Sequence, residues 1–134
     1  MLKDFFMEFA ADYLKEPLVL KYAGSLLVYS GQKIIPIRVD DICYIESSSP
    51  STIISTAVQK YQIKRNLISL STVLDPQYFY RVNRQYIIAR RAVIKASQIN
   101  GRKLNLIINV VHAPSITVSK EKVSGFLKWL KSGR

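Results

Sequence analysis

A chain of 134 residues has room for one real core, and 49% hydrophobic content excludes a disordered tail. No apolar run approaches the roughly 18–20 residues that cross a bilayer, no signal peptide is visible, and the single Cys43 cannot form an internal disulfide. Twenty Lys and Arg against nine Asp and Glu leave a net charge of +11, which points to an anionic partner.

Residues 1–15 predict a helix, because Leu2, Phe5, Phe6, Phe9, Tyr13 and Leu14 recur near the 3.6 period and Pro17 stops the pattern. We read residues 1–16 as a helical arm or linker remnant and residues 17–134 as the domain. From Leu18 the pattern changes to short strands. LVLKY (18–22) and SLLVYS (25–30) flank a turn at Ala23-Gly24, and KIIPI (33–37) follows a second turn at Gly31-Gln32. Pro36 argues for an edge position. DICYIES (41–47) is the next strand. The Ser47–Thr52 tract is a loop, and IISTAV (53–58) with YQIKR (61–65) makes a further hairpin.

Leu67, Leu70, Val73 and Leu74 form one helical face that Asp75-Pro76 ends. The stretch PQYFYRVNRQYIIARR (76–91) then mixes apolar and cationic residues as a half-buried strand does. Its Arg, Asn and Gln side chains are those whose forks suit guanine and adenine edges, although a solvated sheet face would read the same way. AVIKASQI (92–99) and KLNLIIN (103–109) flank Asn100-Gly101, a two-residue hairpin signal. SITV (115–118) is a last strand. Ser119 is placed to cap a final helix with Val123, Phe126, Leu127 and Leu130 buried. Frequent turns and connections too short for parallel crossovers predict a mainly β, antiparallel domain with short helices.

Charge is unevenly distributed. Asp4, Glu8, Asp12 and Glu16 fall in the first sixteen residues, whereas after Pro76 Glu121 is the only acid among twelve cations. Nucleic acid is the commonest partner of such a half, and an anionic membrane surface is its competitor. Catalytic signatures are weak. His112 is the only histidine and reads as a surface loop residue. Asp40 and Asp41 point apart in an extended segment. Ser119-Lys120-Glu121-Lys122 has the S-x-x-K spacing without its companion motifs, and no phosphate-cradling glycine loop is present. No enzyme, metal or cofactor is expected.

In order, IIPIRVDDICYIES, KRNLISLSTVLDPQYFYRVNRQYII, INGRKLNLII and ITVSKEKVSGFLKWL resemble the LytTR DNA-binding domain, an output module of bacterial response regulators. The resemblance covers residues 17–130, and its variant is similar to that of Bacteroidetes regulators. It implies an elongated β fold of about ten short strands, with DNA bound by loops rather than by a recognition helix. It implies base contacts in the major groove from the Ser47–Thr52 loop at Thr52, from Arg84, and from Lys120. Thr52 is shorter than the side chain usual at that position, which leaves a methyl group, a phosphate or no contact open to it. Lys120 stands where Arg is common and lacks its bidentate fork. Arg65, Gln85, Arg90, Ser119 and Lys122 are the expected phosphate contacts. Arg81 matches a near-constant family arginine, and a structural cap is as good a reading of it.

These features predict a cytoplasmic, sequence-specific binder of double-stranded DNA, without membrane association. It would be either the output half of a two-component regulator, with a receiver domain in cis, or a stand-alone regulator, and a homodimer on DNA is compatible with both. The competing reading is a protein-interaction or membrane-surface module that uses the basic face and the Phe5/Phe6/Phe9 helix. RNA binding would want aromatic platforms, and Tyr61, Tyr78 and Tyr80 are scattered.

Overall fold

Two central strands with both faces covered hold the molecule together. In β3 (Ile42–Ser48) the first four residues are all buried, as are all four of β7 (Tyr86–Ala89). The structure, a computed structural model, describes residues 21–133. The helix expected over 1–15 and most of the strand expected over 18–22 lie outside the described residues. Ten strands are formed among the described residues, in three antiparallel sheets.

The first sheet is the ribbon β1 (Ser25–Ser30) with β2 (Lys33–Arg38), turned at Gly31-Gln32. Leu26, Val28 and Ile37 face inward, while Leu27 and Tyr29 alternate outward. Pro36 lies in β2, which pairs with β1 alone, so the expected edge position holds. Lys21–Gly24 form no strand: the Ala23 amide donates to the Val73 carbonyl at 2.8 Å, so this segment ties to the internal helix rather than closing a hairpin.

The second sheet has the order β5-β4-β3-β7-β6, with β4 over Ser51–Thr56, β5 over Lys60–Ile63 and β6 over Phe79–Arg81. Ile42, Tyr44, Ile45, Ile54 and Ile88 are fully buried, and each such aliphatic residue contributes roughly 1.5–3 kcal/mol. Here two expectations are corrected. The Ser47–Thr52 tract is not an open loop, because Ser47 pairs with Thr52 and Ser48 with Ser51, which leaves only Ser49-Pro50 as the turn. The stretch 76–91 is not one strand, because β6 and β7 pair with each other across a turn at residues 82–85.

Helix α1 (Leu67–Val73) is capped by Asn66, whose side chain accepts from the Ser69 amide at 2.7 Å, a bond that stabilises such a helix by about 1 kcal/mol. Leu67, Leu70 and Leu74 are buried, as the helical spacing predicts.

The third sheet has the order β10-β9-β8, with β8 over Val93–Ile99, β9 over Lys103–Ile108 and β10 over Ile116–Val118. The β8–β9 turn uses three residues, Asn100–Arg102, rather than two. A short 3-10 turn, Lys120–Lys122, leads into helix α2 (Val123–Lys131). Its buried residues are Phe126 and Trp129; Leu127, expected inside, is 47% exposed. The rings of Phe126 and Trp129 pack on Tyr80 at 5.9 and 5.3 Å. Gly125 permits this approach, since a Cβ there would run into the Tyr80 hydroxyl. The expected surface histidine, His112, is exposed in a turn.

Candidate nucleic-acid interface

Strand ends from two sheets converge on one end of the molecule. The Ser47 amide, at the end of β3, donates to the Gln85 carbonyl at 2.7 Å, so the β3–β4 turn lies beside the β6–β7 turn. On the other side, the Ser119 amide donates to the Val82 carbonyl at 3.0 Å and the Asn83 side chain donates to the Thr117 carbonyl at 2.6 Å. The entry to α2 is thereby bound to the same turn. Beyond β4, the end of β5 carries Lys64 and Arg65, and the Thr52 hydroxyl donates to the Arg65 carbonyl.

The β6–β7 turn is held from within as well. The Asn83 side-chain oxygen accepts from the Gln85 amide at 2.7 Å and the Tyr86 amide at 3.0 Å. Such a bond pattern replaces strand ladder bonds and bends the chain. The Arg81 guanidinium donates to the carbonyls of Asn83 and Arg84 at 3.3 and 3.1 Å, so its role is the structural cap. Arg84 is thus presented on a braced backbone with its side chain in solvent. An open cleft of about 730 Å³ is lined by Arg81, Asn83, Arg84, Gln85, Ser119, Glu121 and Lys122. Arg84, Lys120 and Lys122 form no ion pair among the described residues.

A convergent set of unpaired cations on turn tips suits a polyanion. The family model of the LytTr DNA-binding domain matches residues 32–131. The chain belongs to the LytTR family. A solved LytTr DNA-binding domain from Bacillus cereus has the same fold, with a TM-score of 0.71 and 18% identity, over 81% of this chain and 97% of that one. None of the curated proteins matches. Membership makes DNA the partner of this domain. No helix among the described residues is long and apolar enough to cross a membrane, and no group of three metal-ligating side chains occurs among them.

Within this LytTR domain the sequence-derived contact residues separate into two groups. Arg84, Gln85, Lys120 and Lys122 are exposed around the cleft and its rim. Ser119 borders the same cleft, but its hydroxyl is turned to the Val82 carbonyl at 3.3 Å rather than capping the amides after it. Arg65 is half-buried and braces the first turn of α1, with Nε donating to the Ser69 hydroxyl at 3.1 Å.

Two expected contacts are corrected. Thr52 is 1% exposed, and its hydroxyl is engaged by the Arg65 carbonyl, so the side chain has no surface from which to meet a base. The exposed groups at that bend are Ser47, Ser48, Ser49 and Pro50. Arg90 is not available to phosphate: its guanidinium donates to the Trp129 carbonyl at 2.6 Å and stacks 4.7 Å from the Trp129 ring. It closes the far end of α2, a nine-residue helix about 13 Å long, away from the cleft at that helix's start.

Two residues, Glu46 and Tyr86, were missed by the sequence reading of the site, and Asn83, read as an outward side chain suited to a base edge, is instead bonded to backbone. Asn83 fixes the Arg84 turn and joins it to β10; the signal for it was the polar pair Asn83-Arg84 interrupting an otherwise strand-like run. Glu46 and Tyr86 lie just behind the tips, where the Tyr86 phenol donates to a Glu46 carboxylate oxygen at 2.9 Å. Burial pushes the Tyr86 phenol up to about 12, and the bond to Glu46 pushes in the same direction.

Proposed function

We propose that this LytTR domain reads specific double-stranded DNA sequences from the major groove for a bacterial transcription regulator, with Arg84 and Lys120 as the base-reading side chains. The carrying observation is Arg84 itself, an exposed guanidinium on a turn braced by Asn83 and Arg81, beside the basic entry to α2. Arginine's fork matches the O6 and N7 acceptors of guanine, and a fixed backbone makes that geometry selective. Lys120 supplies a point charge nearby and reads less sharply. Gln85, Lys122, Ser119 and Arg65 supply phosphate contacts, which set register and not sequence.

The regulator is of the two-component kind, with a receiver domain in cis, or acts alone; it works in the cytoplasm, without catalysis, and pairs as a homodimer on repeated half-sites. Selection of bound sequences from a random duplex pool tests this reading. Recurrent short half-sites are expected, and Arg84→Ala should lose about 1–3 kcal/mol of discrimination between the selected and a random duplex. Lys122→Ala should weaken binding to both equally and flatten the salt dependence. Equal losses on both duplexes for Arg84→Ala count against base reading by this residue.

A further inference from the structure

The β8–β9 turn was read from sequence as a plain hairpin connection, yet the register places it on the DNA-facing end. Val118 of β10 faces Leu104 of β9, and Leu104 in turn faces Gln98 of β8. The next residues along, Ser119 and Lys103, therefore leave the ladder side by side, about one strand spacing of 4.8 Å apart. Arg102 comes next to Lys103 at the turn, as Lys120 comes next to Ser119 at the entry to α2. Arg102 and Lys103 are both exposed and form no ion pair among the described residues.

The backbone of this turn supplies a second observation. Gly101 and Arg102 have φ of +78° and +61°. Glycine occupies such a conformation freely, whereas an arginine is strained in it. Gly or Asn would relieve the strain at Arg102, so the guanidinium is kept there against the preference of the local backbone. Strain of this kind marks a residue held for its side chain.

We infer that the β8–β9 turn is an additional phosphate-binding contact, with Arg102 and Lys103 holding the duplex backbone beyond the bases that Lys120 faces. This inference rests on the DNA-reading function proposed above and lengthens its footprint. One further strand width, about 4.8 Å, corresponds to about one to two base pairs on one side. The chemistry is that of the DNA backbone rather than of base edges, since neither side chain is braced as Arg84 is. The contact should add affinity without sequence preference.

The test compares the wild-type domain, Arg102→Ala/Lys103→Ala and Arg102→Gly on a selected duplex, either with extra base pairs at both ends or trimmed from one end at a time. The double variant should bind the long duplex several-fold more weakly, with the slope of log affinity against log salt reduced by about 2. Trimming one end, and not the other, should reproduce that loss for the wild type and leave the double variant unchanged. Arg102→Gly should raise Tm while weakening binding, a pair of opposite signs that damage to the fold would not produce. An unchanged slope and affinity for the double variant, with the wild type still preferring the selected sequence, overturns this inference alone. A wild type that binds selected and random duplexes alike overturns the base-reading function and this inference with it. Weakened binding to an acidic polypeptide, with DNA binding intact, would assign the turn to a protein partner and also overturn it.

Discussion

The Asn83 side chain donates to the Thr117 carbonyl at 2.6 Å, and this bond, beside that of the Ser119 amide to the Val82 carbonyl, joins the turn that carries Arg84 to the strand that delivers Lys120. Since the same side chain also accepts from two amides of its own turn, Asn83→Ala leaves three backbone groups without partners. We expect a stability loss of about 1–3 kcal/mol in denaturant unfolding. We also expect discrimination between selected and random duplexes to fall more than non-specific affinity does, because Arg84 is still present but no longer held.

Arg90 should behave as a structural residue. Arg90→Ala removes the bond to the Trp129 carbonyl and the stacking on its ring, at a cost of about 1–3 kcal/mol. Thermal melting should show the loss, while the salt dependence of DNA binding should keep its wild-type slope. A reduced slope would restore Arg90 to the phosphate contacts.

Thr52→Val keeps the shape of a buried side chain and removes its hydroxyl. Unfolding should show a loss of about 1 kcal/mol from the missing bond to the Arg65 carbonyl. The bases preferred in a random-pool selection should be those of the wild type. An altered preference at one position would show that Thr52 does reach the DNA.

Tyr86 makes alkaline stability informative. Its folded value lies above the ordinary phenol value of 10.0, at about 12, so the folded state holds this proton more tightly than the unfolded chain does. The corresponding stability is fully present below pH 10 and is lost as pH rises through about 12. Ultraviolet titration should show one phenol ionising near pH 12, and Tyr86→Phe should remove that step. An ordinary titration of every tyrosine would show that the burial of Tyr86 and its bond to Glu46 do not hold in solution.

The strand-rich architecture was legible because period-two apolar residues and turn residues recur along the chain, and the helical face Leu67, Leu70, Leu74 because its spacing is 3.6. What stayed hidden depended on partners distant in sequence. Thr52 follows a serine-rich tract and looks exposed, yet it is buried by pairing with Ser47 and by a carbonyl thirteen residues on. The cationic pattern around Arg90 matches that around Arg84. Only the arrival of Trp129, thirty-nine residues later, separates a staple from a DNA contact. The α2 face was misread because Trp129 is drawn inward by its own long-range bond, from the indole N–H to the Pro76 carbonyl at 2.8 Å.

The bracing of the β6–β7 turn by Asn83 and Arg81 leaves the Arg84 side chain outside every bond that shapes its own backbone. Replacing Arg84 therefore touches neither the core nor the neighbouring bends. A duplicated copy of this domain could acquire a new operator through one codon change at this position, with folding and abundance unaltered.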